Sequence, residues 1–352
     1  MDLRDFRSHE REAVELGDSL TVIAGPNGSG KTNLLEALHF GLTGRSCRTS
    51  MDRQVIKWDS STALVEIDWE ADGLTHKLKT ALNRSGDKKI QIDDSTLEQA
   101  LPSTKRPPVI VFLPDRLNLV TGAPGERRKH FDKVLSELDS SYARLRTSYN
   151  EALIQRNALL GRIRATGESS ASLEAWNLKL AQAGSEVVIK REDLATSLNE
   201  RLWEIASSLG LDGTLELRHR ASGSNRAEDY VEELREKLES DLDRGFTSYG
   251  PHRADFVFWR AGHDIKTTGS QGEKRMSLLA LLLRERELLS DRTGVTPVLL
   301  LDDVMSELDA TRRQQLVSHV SQKGQCVITA TEFEHVPVEG LDGVVSIPVG
   351  AK

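Results

Sequence analysis

The stretch with the most specific chemistry is Gly25-Pro26-Asn27-Gly28-Ser29-Gly30-Lys31-Thr32, which satisfies G-x-x-x-x-G-K-[ST]. Its glycines let successive backbone N–H groups turn inward around an anion, and a following helix adds the positive end of its dipole. In such a loop Lys31 reaches the β- and γ-phosphates of ATP, and the Thr32 hydroxyl can bind Mg2+. A second candidate is Val298-Leu299-Leu300-Leu301-Asp302-Asp303, an apolar run ending in two carboxylates. Asp302 suits the metal shell, and Asp303 could accept a proton from an attacking water. Ser270-Gln271-Gly272-Glu273 lies 32 residues before Asp302 and opens a helix. Taken alone, that tetrad is also an ordinary helix N-cap. The nine histidines show no H-E-x-x-H or Cys/His zinc spacing.

These groups need elements to hold them. Leu20-Thr21-Val22-Ile23-Ala24 reads as a strand, and Leu34, Leu35, Leu38 and Leu42 recur at helical spacing behind the loop. From 63 to 92 the period becomes two. Val65, Ile67 and Trp69 alternate with Glu66, Asp68 and Glu70, then after Ala71-Asp72-Gly73 come Leu74, His76, Leu78, Thr80 and Leu82. That pattern predicts an antiparallel hairpin with one wet face. Val109-Ile110-Val111-Phe112 is unbroken apolar, as a strand buried on both faces should be. Over 126–209, Phe131, Leu138, Leu145 and Ala152 fall seven apart, and a second stripe runs from Leu173 to Ile205 beyond the polar stretch Gly161–Ser172. Two antiparallel helices joined at a tip are expected. A strand near Leu215–Arg218, an acidic helix over Glu228–Leu242, a strand after Pro251, a helix near 272–290, a helix over Ala310–Val320 and a last strand at Cys326–Thr329 complete the layout. The expected fold is α/β, with domains 1–122 and 246–352 forming one split head and 123–245 a helical arm inserted between them.

Composition narrows the function classes. The chain has 352 residues and a formal net charge of −7, with a pI of about 5.8, so a wholesale basic nucleic-acid binder is excluded and any DNA contact must be local. Arg45, Arg48, Arg53 and Lys57, set against Asp52, offer such a patch, and Arg84, Lys88 and Lys89 offer a second. Either could equally be a solvated face. No apolar run approaches a membrane span. The N-terminus MDLRDFRSHERE lacks the apolar core of a secretory signal, and its first strand is expected to be short or clipped. Cys47 and Cys326 fit a reducing, cytoplasmic setting.

The order of loop, inserted arm, Ser270 helix, Asp302-Asp303 strand and Ser306-Glu307-Leu308-Asp309 resembles the ABC-type ATPase head with its signature helix and D-loop. Several blocks narrow the resemblance to the RecF family of bacterial recombination mediators. They are the P-loop extended through Asn33-Leu34-Leu35-Glu36-Ala37, Gly44-Arg45-Ser46-Cys47-Arg48-Thr49, Phe112-Leu113-Pro114-Asp115, Gly122-Ala123-Pro124-Gly125-Glu126-Arg127-Arg128 and Tyr249-Gly250-Pro251-His252-Arg253. The resemblance implies nucleotide binding by Gly25 through Asn33. It implies an ATP-dependent homodimer in which Ser270, Gln271 and Gly272 complete the site of a second copy. It also implies weak, DNA-stimulated hydrolysis of ATP to ADP and phosphate. The implied setting is recombinational repair and replication-fork maintenance at the nucleoid, with binding to dsDNA and ssDNA near gaps and with RecO and RecR as partners. An arm of about 120 residues, short beside the coiled coils of chromosome-maintenance proteins, agrees with this. Against the wider ABC pattern, Asp303 stands where Glu is common, no switch His follows the last strand, and Asp115 is the nearest candidate for a Q-loop residue. Slow hydrolysis is therefore expected. The other readings are the ATP-binding subunit of a membrane transporter and a P-loop kinase acting on a small acceptor.

Overall fold

Alternation and β-branching decide the first part of the chain. A computed structural model describes residues 1–71, 73–97, 106–167 and 169–350. The polar run at the N-terminus forms strands β1 (Asp2–Phe6) and β2 (His9–Ala13), which pair antiparallel. After β3 (Leu20–Ala24) and helix α1 (Lys31–Thr43) come β4 (Thr62–Ala71), β5 (Leu74–Asn83), β6 (Lys88–Ile92), β7 (Ser95–Leu97) and β8 (Val109–Phe112). The hairpin is β4–β5, in register Thr62↔Asn83 through Ala71↔Leu74. Val65, Ile67, Leu78, Thr80 and Leu82 are buried in it. Leu74 is exposed, because it sits at the turn beyond the buried part of the sheet. Asp72 of that turn, and the side chain of the Q-loop candidate Asp115, lie outside the described residues.

The chain then builds a separate unit, Leu117–Leu288. It contains α2 (Asn118–Thr121), α3 (Pro124–Leu138), α4 (Ser140–Thr166), α5 (Leu173–Ser208), β9 (Leu215–Arg220), α6 (Ala227–Glu236), α7 (Leu238–Arg244), β10 (Asp255–Arg260), β11 (His263–Asp264), α8 (Ile265–Thr268) and the start of α9 (Gln271–Thr293). The first expected arm helix is two. Asp139, extended at φ −140°, leaves the helical region and accepts from Ser141 N, so it ends α3 and caps α4. Gly161 does not break α4, which runs on to Gly167 in the left-handed conformation at φ 70°. Arg156 meets Asn177 and Asp139 meets Lys190, so α4 and α5 run antiparallel. At 1.5 Å per residue the 36 residues of α5 span about 54 Å. The acidic helix is also two, α6 and α7, separated at Lys237. The expected return to the head at 246 differs from the observed division. β10 pairs with β9, Asp255↔Arg220 through Arg260↔Leu215, and Arg127 of α3 binds Asp255 in bidentate fashion at 2.8 and 2.9 Å. Residues 246–288 therefore belong with the arm.

The chain closes the first unit, Met1–Arg116 with Leu289–Lys352, through β12 (Val298–Leu301), α10 (Ala310–Ser321), β13 (Cys326–Ala330) and β14 (Val344–Pro348). A parallel sheet runs β14-β3-β13-β12-β8, and an antiparallel one runs β2-β1-β4-β5-β6-β7. β14, past the strand expected to be last, lies at an edge with Val344, Val345 and Ile347 half-buried and Ser346 and Pro348 exposed. Helix α1 packs on strands of both sheets. It buries Leu34, Leu35, Leu38 and Phe40 in a core shared with Phe6, Val65, Leu78, Val111, Leu300 and Val327. Each such side chain contributes roughly 1.5–3 kcal/mol of transfer free energy, set against the entropy of ordering the chain.

Candidate nucleotide site

The parallel sheet delivers the chemistry at the carboxyl ends of its strands, the usual ligand position in open α/β sheets. β3 ends at Ala24 and the loop follows, entering α1 at Lys31. No side chain caps α1, because its N-cap is Gly30 at φ 104°, so its first N–H groups face the loop. A Cβ on Gly30 would lie 2.8 Å from His9 Nε2, and one on Gly25 would lie 2.1 Å from the Val349 carbonyl. Only glycine fits either place. Lys31 is 7% exposed, with Nζ donating to the Gly25 and Pro26 carbonyls at 2.6 and 2.9 Å. The ammonium is therefore held inside the arch of the loop.

The Thr32 hydroxyl donates to both oxygens of Asp302, at 2.9 and 3.1 Å, joining α1 to the end of β12. Burial pushes the Asp302 carboxyl pKa up, opposed by the hydrogen bonds from Thr329 and Thr32. Thr329, fully buried on β13, donates to Asp302 Oδ1 at 2.8 Å and accepts from the Asp303 N–H at 2.9 Å. One hydroxyl thus positions both acids. Asp303 adopts φ 47°, ψ 29°, a left-handed conformation sparsely used by residues other than glycine and found at functional turns. Thr32 and Asp302 are hard oxygen donors, and no cluster of three His, Cys, Asp or Glu suited to a metal occurs among the described residues. That set fits Mg2+, which favours one or two protein ligands completed by phosphate and water.

The other predicted residues fall in three places. Asn33 donates to Ser8 Oγ at 2.9 Å and accepts from Arg48 at 3.1 Å. Arg48 and Arg7 both reach Glu36, a fully buried carboxylate on α1 that also accepts from Ser46 Oγ at 2.5 Å. Arg48 is thereby tied to the nucleotide end of α1. Arg45 and Arg53 are exposed, and Lys57 lies 3.4 Å from Glu10. Lys88 reaches back to the Gly44 carbonyl and to Asp52, and Arg84 reaches the Lys57 carbonyl, so the two basic segments form one surface. Ser270, Gln271 and Gly272 are exposed in the second unit. Ser270 forms a reciprocal cap with Glu273, at 2.7 and 3.2 Å, which leaves the residues between them open to solvent. β13 ends without a histidine; His335, beyond it, shares a hydrogen bond with Thr331 at 3.0 Å. His252 is structural: its Nε2 faces the Thr247 carbonyl and must carry the proton, so Nδ1 accepts from Tyr149 at 2.7 Å. Thr329, Arg7, Ser8, His9 and Glu36 were not anticipated as site residues.

Fold and site together define a P-loop ATPase head of the ABC/SMC type. The RecF/RecN/SMC N-terminal domain model matches residues 1–347. The DNA replication and repair protein RecF of Chlorobium phaeobacteroides is 34% identical over 342 residues, 94% of each chain. That of Halothermothrix orenii is 35% identical, covering 94% of this chain and 91% of its own. The solved structure of the recombination mediator protein RecF-ATPrS in the RecFOR pathway superposes with a TM-score of 0.83 at 30% identity, covering 99% of this chain and 96% of that one. An Smc head bound to the C-winged helix domain of ScpA shares the fold at 16% identity, with a TM-score of 0.56 over 98% of this chain and 92% of its own. The chain belongs to the RecF family.

Proposed function

We propose that this protein is an ATP-dependent DNA-binding protein of recombinational repair and replication, acting in the cytoplasm at the nucleoid as a clamp that ATP closes. The observation that carries the reading is the phosphate loop around Lys31 with Thr32 joined to Asp302, and Asp302 joined to Asp303 through Thr329. On ATP binding, the loop N–H groups and Lys31 take the β- and γ-phosphates, with Lys31 exchanging a carbonyl for a phosphate oxygen. Thr32 and Asp302 would hold Mg2+, which neutralises phosphate charge. Asp303 orients the attacking water and takes its proton. Ser270 of a second copy completes the γ-phosphate side, and its exposure supports that role. Asp303 is one methylene shorter than Glu and no histidine closes β13, so ATP serves as a dimer switch and hydrolysis is slow, with DNA as the stimulant.

The surface of Arg45, Arg53, Lys57, Lys88 and Lys89 would contact phosphates of dsDNA and of ssDNA near gaps, and Arg48 would couple that segment to α1 through Glu36. RecO and RecR are the proposed protein partners. Retention of gapped duplex by the wild-type chain in ATP, at rising salt, tests the reading. Affinity should fall linearly in log–log form, and Lys31→Met should bind weakly even with ATP present. Binding indifferent to both salt and ATP would reject it.

A further inference from the structure

Trp58 is 83% exposed, the most exposed of the large apolar side chains described. A lone surface apolar residue is ordinary, but this one stands on a braced turn. Arg84 Nε donates to the Ser60 carbonyl at 2.6 Å, and its Nη2 donates to the Lys57 and Trp58 carbonyls at 3.1 and 3.2 Å. Ser60 Oγ donates to Asp5 at 2.8 Å, and Arg84 N to the Ser61 carbonyl at 3.1 Å. The turn is fixed before any ligand arrives, so the indole presents its face at little ordering cost.

The charges around it are of both signs, with Asp59 exposed directly after the indole. Arg84 is held by carbonyls, which leave its positive charge uncompensated. Lys57, paired with Glu10, precedes the indole, and Arg53 is exposed on the same connection. Of the acids around it, Asp52 is engaged by Lys88 and the Ser46 N–H, Asp87 by Ser85 and Asn83, and Asp5 by Ser60, while Asp59 stays exposed. A rigid aromatic face flanked by cations is the combination that holds single-stranded nucleic acid, the ring stacking on a base while the cations follow the phosphates. We propose that Trp58 stacks on an unpaired DNA base, so that this surface distinguishes a single-strand junction from continuous duplex. The inference rests on the DNA-binding reading above and adds to it a residue and a stacking contact to an unpaired base.

The test is fluorescence anisotropy with ATP, using a labelled gapped duplex and a fully paired duplex across a salt series, for the wild type, Trp58→Ala and Trp58→Phe. Trp58→Ala should weaken binding to the gapped DNA about tenfold, with the paired duplex and the salt slope unchanged, and Trp58→Phe should keep most of the affinity. Equal affinities for Trp58→Ala and wild type on gapped DNA would overturn the proposal and assign the indole to another partner such as a protein. Equal losses on both DNAs would also overturn it. A wild type that binds neither DNA would reject the underlying function, a result distinct from either.

Discussion

Asp303 is the residue on which the proposed hydrolysis turns. Asp303→Asn keeps the side-chain length and tolerates φ 47°, so it isolates the proton acceptor. Steady-state turnover should drop about 100-fold or more while nucleotide binding is retained. Asp303→Glu, restoring the missing methylene, should raise turnover, and a fall would contradict the explanation for slowness. Thr329→Val removes the hydroxyl shared by Asp302 and Asp303, taking a donor from the buried Asp302 carboxylate and the acceptor from the partly buried Asp303 N–H, and should cost about 1–3 kcal/mol in denaturant unfolding. The P-loop and Asp302-Asp303 were legible because their chemistry is contiguous in the chain. Thr329 and Glu36 act through partners brought near by folding. The only trace of either in the sequence is a polar residue inside an apolar run, Val327-Ile328-Thr329-Ala330 or Leu34-Leu35-Glu36-Ala37.

At the scale of elements, the strands buried on both faces and the long helices were readable from period alone. The misreadings arose where one residue outweighs the period. Asp139 divides α3 from α4 although Phe131, Leu138 and Leu145 keep heptad spacing across it. The short first strand expected at the N-terminus is β1, five residues between β2 and β4, whereas β2 carries too many charged residues to signal a strand and forms at the sheet edge with four of its five residues in water. The Arg127–Asp255 pair joins two sequence blocks 128 residues apart and fixes α3 against β10. Its arginine is 3% exposed, so Arg127→Ala, which strands a half-buried carboxylate, should cost about 3 kcal/mol in urea unfolding. Histidines add a pH dependence to this unit. Burial pushes His252 and His219 down to about 4 from 6.5, with nearby arginines acting in the same direction. The unfolded chain therefore takes up protons first. The stability they support is complete above about pH 6.5 and is lost as pH falls toward 4. The thermal midpoint should decline across that window, less steeply in His252→Gln, and equal slopes would contradict the assignment.

For the whole molecule, a net charge of −7 argued against nucleic acid as a general partner, and the structure makes that exclusion local. Asp52 and Asp87 beside the basic surface are engaged, and much of the acidic surplus lies on α6 and α7 of the other unit. Among the described residues no helix is long and apolar enough to cross a membrane, and RecF relatives cover the chain nearly end to end. The transporter-subunit and small-acceptor kinase readings find no support in those relatives. What a single chain could not make legible is the second copy. Ser270 is separated in sequence from Lys31 by the whole arm, and the role in trans proposed for it is a property of an assembly. The direct measurement is the solution mass of the protein with and without ATP, by gel filtration with light scattering, for the wild type, Lys31→Met and Ser270→Arg. The account predicts a monomer without ATP, a dimer with it, and monomers for both variants in ATP. A wild type that stays monomeric in saturating ATP, or a Ser270→Arg variant that dimerises as well as wild type, would contradict it.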